Sequence, residues 1–275
     1  MVESPAAVVI WQNGLQAQPE DDCQVDLSER PQALIKRHPW EAARYHFFSH
    51  IMKTWQDLSI PRNVLDVGSG DGFFSQQLMH ELAVGSRIVC WDSNYTETDI
   101  RMLARQSPNS IQYDVEVPNE RFDLVLLLDV LEHVKEDVTF LKRIVDCHMV
   151  PGAISLISLP AWRALFSRHD LALKHYRRYS GRDGFRLVRK SGLELAASGG
   201  LFYSLLVPRI FAKIRECLVN ASTERWYSVD RWKAGPFLTR MVLYALILDC
   251  RVSRLLSRAD LGFPGLSWWA VCRKP

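Results

Sequence analysis

Along residues 63–159 short apolar runs alternate with stretches whose apolar positions recur at helical spacing. The runs fall at 63–68 ("NVLDVG"), 87–92 ("RIVCWD"), 110–115 ("SIQYDV"), 122–128 ("FDLVLLL") and 153–159 ("AISLISL"). Helical patterns fill 73–83, 96–106 and 134–148. Strands apolar on both sides, separated by helices, predict a parallel sheet covered on both faces. Upstream, 31–57 reads as a helix on the spacing of Trp40, Ala43, Phe47, Ile51 and Trp55, and Pro61 closes it. Residues 1–30 are polar and rich in turn formers, which predicts a loosely held arm ahead of a single domain over 31–275. After Pro160 the rhythm breaks. A basic, aromatic stretch (162–190) leads to a strand at 193–199, then to helices over about 200–258. The chain closes on "SWWAVCRK", a last strand after Pro264 and Gly265.

A chain of 275 residues can bury one large α/β core. The net charge of +3 is too small to argue for nucleic acid. Six cysteines show no CxxC pair and no clustering with histidine, so structural zinc is not expected and a reducing compartment fits. The start, "MVESPAAVVIWQNG", lacks a basic segment before its short apolar run, unlike a secretory signal. The apolar run "MVLYALIL" (241–248) is far shorter than the roughly 20 residues a bilayer requires. The expected location is cytoplasmic.

Chemistry concentrates in "VLDVGSGDGFF" (64–74), where a strand passes through glycines into a helix. That context suits a phosphate or nucleoside. A P-loop is excluded, because no GK[ST] follows. A dinucleotide fingerprint fits Gly68 and Gly70 but demands glycine at 73, where Phe73 stands. Asp66 and Asp71 would repel a diphosphate, whereas Asp66 would favour an ammonium or sulfonium. The ligand predicted is a nucleoside carrying positive charge. The bland alternative is a tight turn at 68–72 with acids that only cap helices.

These residues resemble the first motif of the class I S-adenosylmethionine-dependent methyltransferases, whose D/E-x-G-x-G-x-G is matched by Asp66, Gly68, Gly70 and Gly72. The resemblance implies a Rossmann-like fold with a seven-stranded, mostly parallel sheet, an antiparallel last strand and a helical insertion at about 200–262. It implies S-adenosyl-L-methionine as cofactor, S-adenosyl-L-homocysteine as product, and Asp66 facing the methionine end. Asp92 would accept the ribose hydroxyls, and an acid about 20 residues past the last glycine also meets the geometric need for gripping a ribose. Asp114 would meet the adenine amino group. Ser69, Phe73, Ser93, Val115 and Asp129 complete the expected cofactor site. Asp129 to His133 resemble the turn after the family's fourth strand.

The likeness extends to "RHPWEAARYHFF" (37–48) and "LPAWRALFSRHDLALKHYRRYS" (159–180), which resemble segments of a bacterial subset linked with glycan, glycolipid and other small-molecule biosynthesis. An acceptor hydroxyl or amine calls for a base. His133, His169 and His175 are the candidates, with Tyr176 and Tyr179 as orienting groups. Two of these histidines have a bland alternative: His133 as a helix cap, His175 as a ring satisfied by Asp170. Trp40, Arg44, His169, Tyr176, Arg177 and Arg178 are assigned to the acceptor. The basic run of 168–190 reads either as a solvated helix face or as a grip, through Arg177 and Arg178, on an anionic acceptor such as a lipid-linked phosphate. RNA is disfavoured, since no RNA module is present. No metal is expected, because adjacent Glu132 and His133 should diverge on a helix. The helices at 203–218 and 237–257 read as a packed lid, with a peripheral membrane surface as the alternative. The runner-up from another class is a non-catalytic nucleoside-binding module.

Overall fold

The computed structural model describes residues 38–218, 234–258 and 265–275. The predicted arm and residues 31–37 of the first predicted helix lie outside this range, as do parts of the insertion. Helix α1 (Pro39–Trp55) begins at His38, whose ring accepts the Trp40 amide, with Pro39 at the first turn where its missing N–H costs nothing. It buries Ala43, Phe47, Ile51 and Met52, one stripe at the predicted spacing.

Next come β1 (Asn63–Val67), α2 (Phe73–Met79), β2 (Arg87–Trp91), α3 (Glu97–Gln106), β3 (Ile111–Asp114) and β4 (Phe122–Leu128). Helix α4 (Asp137–His148) leads to β5 (Met149–Pro160), followed by α5 (Arg168–Ala172), α6 (Gly181–Lys190) and β6 (Glu194–Leu201). Helices α7 (Leu206–Leu218) and α8 (Pro236–Arg258) precede β7 (Ser267–Arg273). The seven strands run in the order β3-β2-β1-β4-β5-β7-β6, with β7 antiparallel to both neighbours and the pairs from β3 through β5 parallel. This is the predicted Rossmann-like sheet.

Two differences have local causes. The helix read over 73–83 stops at Met79, where His80 and Glu81 bond to carbonyls three residues back and tighten the last turn. The helix read from 134 begins at Asp137, because Leu131–His133 forms a separate 3-10 turn. Both faces of the sheet are covered. Adjacent Trp268 and Trp269 enter opposite cores, as the two-residue period of a strand requires. The strand order reverses between β1 and its neighbours β2 and β4, so a crevice opens at the carboxyl ends of these strands.

Candidate active site

Strand β1 carries Asp66 into that crevice. Its carboxylate is buried and accepts the Ser75 hydroxyl at 2.6 Å. Burial pushes the Asp66 carboxyl up to about 7, against the opposing pull of Ser75 and of the Arg44 charge. The turn beyond it is held by its own backbone, with the Gly68 amide on Trp91 O at 2.7 Å and Gly72 on Ser69 O at 2.9 Å. Gly72 has φ +71°, and a Cβ there would meet the Tyr113 ring at 2.7 Å. Gly70 has φ +55° with open space where its Cβ would stand. One glycine therefore serves packing, and the other leaves backbone bare beside the crevice.

Asp92, just past β2, ties the turn to the next strand. Its Oδ2 accepts the Gly70 amide at 3.0 Å, while Oδ1 accepts the backbone and side-chain amides of Asn94, both at 2.9 Å. Ser93 beside it is exposed. The Ser69 hydroxyl meets that of Tyr95 at 2.8 Å. Asp114 ends β3 and accepts the Glu116 amide at 3.1 Å, and the Val115 carbonyl accepts the Trp91 indole N–H at 3.2 Å. Phe73 opens α2 with its ring edge-on to Tyr45.

At the end of β4, Asp129 holds a left-handed backbone with φ 59°. Its carboxylate receives the Arg44 guanidinium at 2.7 Å and the Ser158 hydroxyl at 2.8 Å. Arg44 lies 5.1 Å from the Trp40 ring centroid, a cation–π distance, and Trp40 in turn meets Phe202. Arg44, expected on the acceptor side, pairs with Asp129 and its charge acts on Asp66. Ser158, Asn94 and Tyr95 are partners that the sequence reading missed. A polar residue inside the apolar run "SLISLP" was the available signal for Ser158.

A second cluster adjoins this one. The His133 and His175 rings lie 4.6 Å apart and nearly perpendicular, and His175 Nδ1 is 3.2 Å from Asp170 Oδ1. Asp170 is fully buried and also receives Arg178 Nε at 2.7 Å, Arg209 Nη2 at 2.9 Å, and the Ser167 amide and hydroxyl, each at 2.9 Å. Burial alone would raise its carboxyl, but His175, Arg178 and Ser167 hold it well below the usual carboxylate range. Burial and the neighbouring His175 pull the His133 imidazole down to about 4, so it is neutral at physiological pH.

Several expectations are corrected here. Glu132 and His133 do not diverge: one donor atom each from Glu132, His133 and His175 lies within 4.8 Å of the others. The cause is the 3-10 turn, together with the return of the later segment, whose Tyr176 amide bonds to Glu132 O at 2.8 Å. Arg178 does not offer a grip for an anion, since it is buried on Asp170 and on the Ala161 carbonyl. Tyr179 is also interior, its hydroxyl within bonding distance of the Asp137 carboxylate and Leu131 O, and burial raises its pKa. Arg177 is half-exposed and pairs with Asp137 at 3.0 Å and with Lys135 O at 2.5 Å. His169 is drawn down to about 4 by burial and by the Arg209 charge. Tyr176 is exposed.

A buried carboxyl beside a glycine turn with bare backbone, followed by Asp92 and Asp114 at successive strand ends, fits a cationic nucleoside. The profile of the "Methyltransferase domain" family matches residues 40–198, more than half of the chain. The chain belongs to this family and is a class I S-adenosylmethionine-dependent methyltransferase by fold and family. It is 31% identical over 127 residues to the ubiquinone biosynthesis O-methyltransferase of Paramagnetospirillum magneticum, covering 44% of this chain and 47% of that one. With the enzyme of the same name from Chelativorans sp. it shares 28% over 177 residues, 59% and 64% of the two chains. The matches thus span less than two thirds of either relative. Phosphoethanolamine N-methyltransferase 2 of Haemonchus contortus, solved with S-adenosyl-L-methionine, superposes with a TM-score of 0.53 at 16% identity, over 89% of this chain and 54% of that one. That likeness is one of fold.

Proposed function

We propose that the chain methylates an oxygen of a small-molecule acceptor, with His175 as the general base. The observation that carries this reading is the contact of His175 with buried Asp170, beside a His133 ring that feels the charge of Asp129 at the end of β4. S-adenosylmethionine supplies a methyl group made electrophilic by its sulfonium. Asp92 would hold the ribose, Asp114 and Val115 the adenine, and the Gly70 backbone would border the nucleoside. Asp66 and the Arg44–Asp129 pair would face the charged methionine end. Arg44 thereby moves from the acceptor to the cofactor.

With Asp170 ionised, His175 donates through Nδ1 and keeps the Nε2 lone pair for the acceptor's hydroxyl proton. Arg178, Arg209 and Ser167 keep Asp170 fixed in that role. Oxygen is favoured over nitrogen because the two relatives named above are O-methyltransferases. Radiolabelled cofactor offered to hydroxyl, carboxyl and amine compounds should label the hydroxyl class. His175→Ala should lower turnover about a hundredfold, the usual scale for a lost base, with cofactor affinity within a few-fold of the parent. Label confined to amines would sink the oxygen reading.

One observation favours a second reading. The donor atoms of Glu132, His133 and His175 are close enough to share a divalent cation, which would acidify the acceptor hydroxyl in place of a base. Turnover that survives EDTA selects the base. Turnover that vanishes with EDTA and returns with a divalent ion selects the cation.

A further inference from the structure

Among the described residues, helices α7 and α8 leave two long apolar stripes uncovered. On α7, Val207, Ile210, Phe211, Ile214 and Leu218 are all exposed and share one face at helical spacing, and none of the helix's residues is buried. The opposite face turns inward, with Arg209 on Asp170 and Glu216 accepting the Arg168 amide. On α8, Leu246, Asp249, Cys250 and Ser253 form the buried side. There Asp249 accepts the Tyr203 and Ser204 amides, and the Cys250 thiol contacts the Ala43 carbonyl of α1. The outer side carries Phe237, Met241, Tyr244, Leu248, Val252 and Leu255, again one stripe, with Phe237 77% and Tyr244 72% exposed. Monomeric soluble proteins seldom leave contiguous apolar surface of this extent bare.

Charge identifies what covers it. Arg240 and Arg251 are exposed along one border of the α8 stripe. On α7, Arg215 is exposed at the edge of the apolar stripe, while Lys213 pairs with Glu216 at 3.9 Å. The two helices together hold seven Arg/Lys against two Asp/Glu, a surplus of five, whereas the whole chain has a surplus of only three. The rest of the molecule is therefore net acidic. An apolar stripe edged by cations on a helix that lies along the surface matches a bilayer interface with anionic headgroups. No helix among the described residues is long and apolar enough to cross a membrane, so the contact is lateral.

We infer that α7 and α8 dock this protein onto anionic lipid membranes, their apolar stripes entering the headgroup boundary and their basic residues pairing with lipid phosphates. This inference stands apart from the acceptor's identity. The test is co-sedimentation of the full chain with phosphatidylcholine vesicles, with and without phosphatidylglycerol. The chain should sediment with the anionic vesicles, weaken in high salt, and stay in solution with neutral ones. Arg240→Glu/Arg251→Glu should reduce partitioning about tenfold or more. Met241→Ser/Tyr244→Ser, which removes apolar surface without altering charge, should also reduce it. Both variants should keep the parent's cofactor affinity, which shows that they fold. Equal binding to neutral vesicles, no binding to either, or parent-level binding by both folded variants would overturn the inference. So would sedimentation equilibrium showing a dimer that these variants dissolve while vesicle binding persists.

Discussion

Asp66 gives the sharpest test at the scale of single residues. With its carboxyl raised to about 7, it is largely protonated at pH 6 and largely ionised at pH 8. A sulfonium and an ammonium both favour the ionised form, so cofactor affinity should rise with pH, by up to about tenfold across that interval. Calorimetry over this range checks it, and Asp66→Asn should bind weakly with no such slope. An unchanged slope in that variant would assign the titration elsewhere. Asp92→Ala also frees the Gly70 amide, and charged hydrogen bonds are worth roughly 1.5–3 kcal/mol each. Its cofactor affinity should fall at least about tenfold, and undiminished binding would remove Asp92 from the site. Asp66 and Asp92 were legible in the sequence because a parallel sheet places its strand ends together. An acid at the end of an apolar run therefore belongs to the crevice. The pairing of His175 with Asp170 was legible as one of two alternatives, whereas Arg44 and Ser158 were not legible in their roles. Arg44 and Ser158 stand 114 positions apart, and no local pattern pairs them.

The glycine turn decides matters at the scale of elements. It was read from spacing alone, but spacing could not separate what each glycine does. Gly72 caps α2 in the left-handed region with the Tyr113 ring against its missing Cβ, so Gly72→Ala must displace that ring or the helix start. Gly70 shares the left-handed backbone, which costs alanine about 1–2 kcal/mol, but meets no neighbour. Gly72→Ala should accordingly lower the melting temperature more than Gly70→Ala. Gly70→Ala should lose cofactor affinity out of proportion to its small loss of stability. Thermal melts with and without cofactor separate the two. If both variants lost stability equally and kept affinity, the bare backbone at 70 would not border the ligand. The same limit of pattern reading appears at Leu131–His133. A helical pattern ran through 134–148, but the 3-10 turn before it brought Glu132 and His133 together with His175.

Across the whole molecule, buried titratable groups set how the fold responds to acid. His133 and His169 are both held near 4 by burial, below their ordinary value of 6.5. Between those values the unfolded chain binds protons that the native imidazoles refuse, so each histidine weakens the fold as pH falls from about 6.5 to about 4. Asp66 works in the opposite sense, because its carboxyl, raised from 3.8 to about 7, holds a proton in the native state that the unfolded chain has released. Burial lowers His38, His46 and His148 as well, so the histidines outweigh Asp66 and acidification brings a net loss of stability. Asp170 adds a second, lower window. Its carboxylate is depressed by His175, Arg178 and Ser167, so its contribution is present above the ordinary carboxylate value and lost only as pH drops further. Sequence could not show this balance, since it depends on which groups the fold buries together. Urea unfolding at about pH 5 and pH 6.5 should therefore give the lower stability at pH 5. His133→Gln should reduce that difference, because one of the larger histidine contributions is gone. Stability that is flat or that rises on acidification would mean that these imidazoles are open to solvent and protons in the native state, and the packing of the His133–His175–Asp170 cluster would have to be redrawn.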